Sequence, residues 1–219
     1  MKKLYHGSDK FLEMPSHDFE HIGATDYGKY GFYCTQDIEA AKEWACKSGS
    51  TGFLCEYEID DRGLKILDLT DMNRFNVLNW FAILCNNREF DSRFKQLYKT
   101  RIDFLISSYL NIDINEYDVV IGYRADDDYF SFPTGFIQGD LLLESLEEVY
   151  KLGDLGLQYV LMSQKAFTKL KYLSTKPVES KYARLYKSRI GLAVDKYNEI
   201  LLHDLNSDGT RITDLMKND

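Results

Sequence analysis

Three short segments carry the residue types from which a pocket for a flat, polar ligand could be built. In Leu4-Tyr5-His6-Gly7-Ser8 a histidine ends a short strand and a glycine follows. That places an imidazole beside backbone with no side chain in the way, against which a planar carboxamide could exchange hydrogen bonds with N–H and C=O. In Asp26-Tyr27-Gly28-Lys29-Tyr30-Gly31-Phe32-Tyr33-Cys34-Thr35 two glycines precede an aromatic strand, and Trp44 follows eleven residues after Tyr33. Tyr33 and Trp44 suit the two walls of a slot for a planar ring, and a cationic ring gains from both stacking and cation–π attraction. In Leu157-Gln158-Tyr159-Val160-Leu161 a polar Gln158 begins an otherwise apolar strand just after Gly156, at a sheet end facing a cleft. Taken singly, each segment is also what an ordinary sheet contains: a structural histidine, a glycine loop before a core strand, an edge amide.

A fourth segment, Arg124-Ala125-Asp126-Asp127-Asp128, follows an apolar strand and suits a cleft rim. Arg124 could meet a phosphate group, and Asp126 or Asp127 could act as a general base or contact a target. A solvated turn that caps the next helix explains the same residues equally well. Other chemistries lack their parts. His17 and His21 are four apart, but Pro15 and the absence of a nearby third ligand favour a loop over a metal pair. Ser8 is too close along one strand to His6 to form a catalytic pair, and no nucleophile elbow is present.

The elements that must position these residues are legible from periodicity. Leu4–Ser8 and Phe32–Thr35 read as short strands, and residues 37–47 as a helix with Ile38, Ala41 and Ala45 on one face and Thr35 as cap. Residues 53–60 alternate, with Phe53, Cys55, Tyr57 and Ile59 on the apolar side. Leu64–Leu69 is the expected hairpin partner after the Asp61-Arg62-Gly63 turn. Helices follow through Met72, Phe75, Leu78 and Ala82, and through Phe94, Leu97, Tyr98, Leu105 and Tyr109. Residues 118–122 predict a strand, 143–150 a helix, 158–162 a strand, and Ser163 the start of a helix carrying Ala166, Phe167 and Leu170. Beyond Pro177 the pattern is helical. The mixture lacks a regular βαβ alternation and any Gly-x-Gly-x-x-Gly after a strand, which predicts an α+β fold with antiparallel sheets.

Composition narrows the function classes. With 219 residues and 44% hydrophobic content the chain suits one domain, and its 13 Phe and 16 Tyr favour half-buried strands and aromatic-walled pockets. A net charge of −8 argues against broad nucleic-acid binding. The start has no apolar core of signal-peptide length, and no stretch reaches the ~20 apolar residues of a membrane helix. The four cysteines lack any Cys-x-x-Cys and read as reduced core residues, so the cytoplasm is the expected location.

Taken together, His-Gly-Ser, Gly-Phe-Tyr with an aromatic eleven residues on, and Gln-Tyr-Val-Leu resemble the signature of the ADP-ribosyltransferase superfamily, in its diphtheria-toxin and poly(ADP-ribose) polymerase branch. The chain most resembles the bacterial domain-of-unknown-function 3990 family (DUF3990). The resemblance covers residues 3–175 and rests on the Leu-Tyr-His-Gly-Ser start, Ala41-Lys42-Glu43-Trp44-Ala45, Tyr-Asp-Val-Val-Ile-Gly, the Ala-Asp-Asp turn and the late Gln-aliphatic strand before Lys-Ala-Phe.

The resemblance implies a split antiparallel sheet with flanking helices and an NAD cleft over residues 1–175, and a helical C-terminal extension over 176–219 packed on the same domain. It implies catalytic roles for His6, Tyr33 and Gln158. NAD would be bound by His6, Gly7, Ser8, Tyr33, Trp44 and Arg124: His6 on a ribose hydroxyl, Gly7 on the carboxamide, Tyr33 and Trp44 around the nicotinamide. Gln158 stands where the superfamily's catalytic Glu holds a ribose hydroxyl, Ala41 stands in place of a serine, and Gly156 in place of a target-orienting Glu or Gln. The implied activity is single ADP-ribosyl transfer from NAD, without a metal, to a protein or nucleic-acid target. The implied setting is a bacterial toxin of a toxin–antitoxin or phage-defence pair, neutralised by a small antitoxin protein. A catalytically silent binding module and an NAD glycohydrolase are the alternatives.

Overall fold

The computed structural model describes residues 1–17, 26–28, 30–125 and 127–217, with the backbone alone at 127–130. In chain order the elements are β1 (Lys2–Ser8), β2 (Phe32–Thr35), α1 (Ile38–Ala45), β3 (Gly52–Ile59), β4 (Ile66–Asp68), α2 (Val77–Asn87) and α3 (Ser92–Tyr109). There follow β5 (Val119–Tyr123), α4 (Asp127–Gln138), α5 (Leu143–Tyr150), β6 (Leu157–Leu161), α6 (Gln164–Thr168), β7 (Leu170–Val178), α7 (Lys181–Leu205) and α8 (Ile212–Leu215). The class is α+β, and among the described residues the strands form one seven-stranded mixed sheet in the order β4-β5-β6-β2-β1-β3-β7. Every neighbouring pair is antiparallel except β4 with β5.

The alternation of β3 does what its pattern demands. Cys55, Tyr57 and Ile59 are buried on one face with Leu4 and Phe32, while Glu56 on the other face accepts from Lys3 Nζ at 2.8 Å. The partners of β3 differ from expectation. Residues 66–68 pair in parallel with β5 at the far edge of the sheet, because β1 and β7 occupy both edges of β3. The predicted hairpin after Gly63 is therefore absent. The run after Phe167 is also corrected. Leu170 begins a nine-residue edge strand rather than continuing a helix, and Lys171, Lys176 and Pro177 keep that exposed edge from recruiting another strand.

Helix α1 lies close on the sheet because two glycines make room for it. A methyl group at Gly7 would collide with the Ala41 carbonyl and the Ala45 amide, and one at Gly52 with the Ala45 carbonyl. Its N-cap is Asp37, whose carboxylate accepts from the amides of Glu39 and Ala40. Thr35, the expected cap, instead accepts from the Asp37 amide at 3.1 Å. Helix α2 is buried from Leu78 to Cys85. It begins at Val77, so Met72 lies ahead of it and is exposed. Helix α3 breaks helical geometry at Tyr98, and Leu97 faces solvent there.

The larger core lies on the sheet face bearing Val120 and Val160, covered by α2 to α5. Helix α7 contributes Ala193 and Ile200 to it, α8 contributes Ile212, and Tyr197 stacks on Phe132 at 4.6 Å. The boundary expected at residue 176 falls inside β7, where Lys176 stands opposite Leu54.

Candidate functional site

Strands β1 and β2 pair, among the described residues, only at Tyr5 opposite Thr35, whereas β1 and β3 pair along the whole of β1. Beyond Tyr5 the two strands part, and His6 sits at the fork. Its Nδ1 lies 2.7 Å from the Tyr33 carbonyl. A carbonyl only accepts, so Nδ1 carries the hydrogen. The imidazole packs against Phe32 with ring centres 4.7 Å apart. The next residue, Gly7, owes its missing side chain to the approach of α1. Ser8 ends the strand, and its hydroxyl accepts from the Lys10 amide at 3.1 Å.

Tyr33 reaches the opposite sheet face, in the larger core. Its hydroxyl donates to the Gly28 carbonyl at 2.8 Å and accepts from the Tyr27 amide at 3.0 Å. The phenol thereby closes the turn at Gly28, whose φ of +107° is left-handed. Burial, followed by the negative charge of Asp26, pushes the phenol's pKa well above the usual tyrosine range. Tyr33 is thus a fully neutral donor that holds the loop, a role additional to the aromatic wall expected of it.

Gln158 stands in register between Thr35 of β2 and Gly122 of β5 and is 5% exposed. Its Nε2 donates to Asp26 Oδ2 at 3.1 Å. Its Oε1 is buried and has no hydrogen-bond partner among the described residues. Asp26 is held from three sides: Arg88 Nε donates to Oδ1 at 2.7 Å, the Ala125 amide to Oδ2 at 3.0 Å, and Asn87 Nδ2 to its carbonyl at 3.0 Å. Arg88 also donates to the Ala125 carbonyl. Burial pushes the Asp26 carboxyl up, against the pull of Arg88, of the Ala125 N–H and of Arg124. Behind it Tyr27 is fully buried, donates to the Tyr123 carbonyl at 2.8 Å and accepts from the indole of Trp80. The phenol fills the space that a side chain at position 122 would need.

Trp44 lies under two cations. The Arg124 guanidinium is 4.6 Å from its ring centre and Lys47 Nζ is 4.7 Å away. The expected slot between Tyr33 and Trp44 therefore has a competitor for the indole face, because Arg124 stacks on the tryptophan. Asp126 lies outside the described residues, and Asp127 starts α4 with only its backbone described. His17 Nε2 is 3.2 Å from the Met162 carbonyl, and its ring meets the edge of Phe167; His21 lies outside the described residues. Among the described residues no three His, Cys, Asp or Glu side chains form a metal-binding group, and no helix is long and apolar enough to cross a membrane.

The structure therefore brings His6 to Tyr33 through the latter's carbonyl, and Gln158 to a carboxylate that sequence reasoning did not single out. Asp26 was visible only as the first residue of a glycine loop. Nothing marked Arg88, which follows two asparagines at a helix end. A separate groove of about 610 Å³, lined by Gly153, Leu185, Arg189 and Leu192, contains none of these residues.

The chain matches the family described as "Protein of unknown function (DUF3990)" over residues 2–172 and belongs to that family. No curated protein and no solved structure matches it.

Proposed function

With membership of that family as the premise, we propose that the chain binds NAD where β1 and β2 part and transfers single ADP-ribose units to a macromolecular target. The observation that carries this reading is the carbonyl oxygen of Gln158, buried and without a hydrogen-bond partner among the described residues. A buried acceptor without a donor costs about 1–3 kcal/mol, so a ligand hydroxyl that reached Oε1 would relieve that cost on binding. A sugar hydroxyl supplies such a donor. The near-division of the sheet at the Tyr5–Thr35 bridge supports the split-sheet reading, with β4-β5-β6-β2 on one side and β1-β3-β7 on the other.

The chain's own residues fit an NAD site in part. His6 fits a polar contact at the fork, with Nδ1 committed to the Tyr33 carbonyl and the ring thereby oriented. Gln158 fits a ribose hydroxyl. Trp44 offers one wall of a ring slot once the cations leave the indole, and the displaced Arg124 guanidinium is the group suited to a pyrophosphate. Bound NAD would supply an electrophilic ribosyl carbon with nicotinamide as leaving group. What the protein must add is an acceptor on that ribose where positive charge develops. The target and a neutralising partner protein, as in a toxin–antitoxin pair, are extensions of the same proposal.

One observation favours a second reading, a non-catalytic module of the same fold: Arg124 and Lys47 already cover the indole. Nicotinamide release from NAD, measured with and without cell extract, separates the two. The transferase predicts release that depends on extract, with adenine-labelled NAD marking protein or RNA, and loss of both signals in His6→Ala and Gln158→Leu. Release without extract identifies a glycohydrolase. Absence of release under every condition refutes the enzyme and leaves the binding module.

A further inference from the structure

An amide side chain has a donor end and an acceptor end, and something must decide which way it points. At Gln158 that decision is made by Asp26. The Asp26 carboxylate is fixed by Arg88 Nε at 2.7 Å on Oδ1 and by the Ala125 amide at 3.0 Å on Oδ2. A carboxylate only accepts, so the end of Gln158 that faces it at 3.1 Å must be Nε2. Turning the amide over would set two oxygens against each other. Oε1 is consequently directed away from Asp26, buried and without a partner among the described residues.

We propose that Asp26 is the positioning residue of the NAD site: it holds the Gln158 carbonyl as an acceptor for a ribose hydroxyl and places a negative charge directly behind it. This rests on the function proposed above. In this arrangement two residues share the work of one carboxylate. Gln158 touches the substrate and accepts its hydrogen bond; Asp26 acts only through Gln158. Arg88 at the end of α2 and the Ala125 amide after β5 hold Asp26 in place, and the charges of Arg88 and Arg124 act on it through space.

The test is a swap. Asp26→Asn removes the group that forbids the turned amide, so kcat for nicotinamide release falls about tenfold and NAD binds more weakly as well. The double variant Asp26→Asn with Gln158→Glu exchanges amide and carboxylate and regains most of the lost kcat. A purely structural Asp26 would not give that recovery, because Arg88 faces a neutral side chain at position 26 in both proteins. An Asp26→Asn enzyme with wild-type kcat, or a swap no better than the single variant, overturns the proposal and leaves the transferase standing. Wild-type protein that releases no nicotinamide overturns the transferase, and this proposal with it.

Should Asp26→Asn fail to fold, the side-chain amide protons of Gln158 in the wild type provide the reading. Identified by their loss in Gln158→Leu, they exchange slowly with solvent if Asp26 holds them. Exchange as fast as that of a surface glutamine overturns the proposal.

Discussion

Replacing Arg88 by methionine keeps an apolar stem of similar length and removes the cation from a buried pair whose side chains are 5% and 3% exposed. Asp26 then keeps the Ala125 and Gln158 donors but loses the guanidinium, and the Ala125 carbonyl loses a donor as well. Breaking a buried ion pair from one side costs about 3–5 kcal/mol, since it leaves an uncompensated charge. The pH dependence follows from the direction of the Asp26 shift. Burial already raises this carboxyl above its ordinary value, with Arg88 foremost among the groups that pull it back. Without Arg88 it rises further. Between the unfolded and folded values the native state then holds a proton that the unfolded chain does not, so stability falls as pH increases through that window. The penalty is therefore larger at pH ~8 than at pH ~5, shrinking as the variant's carboxyl takes up its proton. Urea unfolding followed by tryptophan fluorescence reads this directly: with a slope of about 2–3 kcal/mol per molar, the midpoint at pH ~8 drops by about 1–2 M. A drop below ~0.3 M, equal at both pH values, would refute the assignment of a buried, charge-bearing pair.

Gly52→Ala forces a methyl into the backbone of α1 and should cost about 1–3 kcal/mol in urea unfolding; a neutral result would mean that the helix can lift from the sheet. Asp37→Ala removes the carboxylate that caps α1 and should cost about 0.5–2 kcal/mol, measured the same way. A chain ended at residue 175 loses the last residues of β7 together with Ala193, Ile200 and Ile212 of the larger core. It should show no cooperative unfolding transition, whereas a separable extension would leave one intact.

Local patterns were legible where the physics is local. Residues 32–35 and 143–150 are the strand and helix that their sequences predict, and β3 alternates as read. What failed was choice of partner. Nothing in residues 64–69 says that they lie beside β5 in parallel, because β3 loses that option only once β1 and β7 have claimed its edges. The strand β7 was hidden because an edge strand presents one side to water, and its lysines and proline break the apolar alternation that marks a strand. In the site, His6, Tyr33 and Gln158 drew notice as strand residues of the right type. Asp26 and Arg88 meet across 62 residues of chain, and an ion pair at that separation leaves no periodic trace.

The neutral amide at position 158 was the weak point of a transferase reading, since the chemistry calls for negative charge near the ribose. Magnitudes indicate what Asp26 restores. The Arg88 cation lies 2.7 Å from the same carboxylate and offsets much of the attraction that Asp26 offers a developing cation. Charge alone therefore does not make Gln158 the equal of a carboxylate. Orientation contributes more, because a turned amide presents N–H to the hydroxyl and loses the acceptor outright, at about 1–3 kcal/mol. The buried pair matters chiefly because Arg88 and Ala125 keep Asp26 an acceptor, and Asp26 in turn keeps Gln158 pointing one way. The double variant Asp26→Asn with Gln158→Glu, which puts the charge on the residue proposed to meet the ribose, should therefore regain most of the kcat that Asp26→Asn loses.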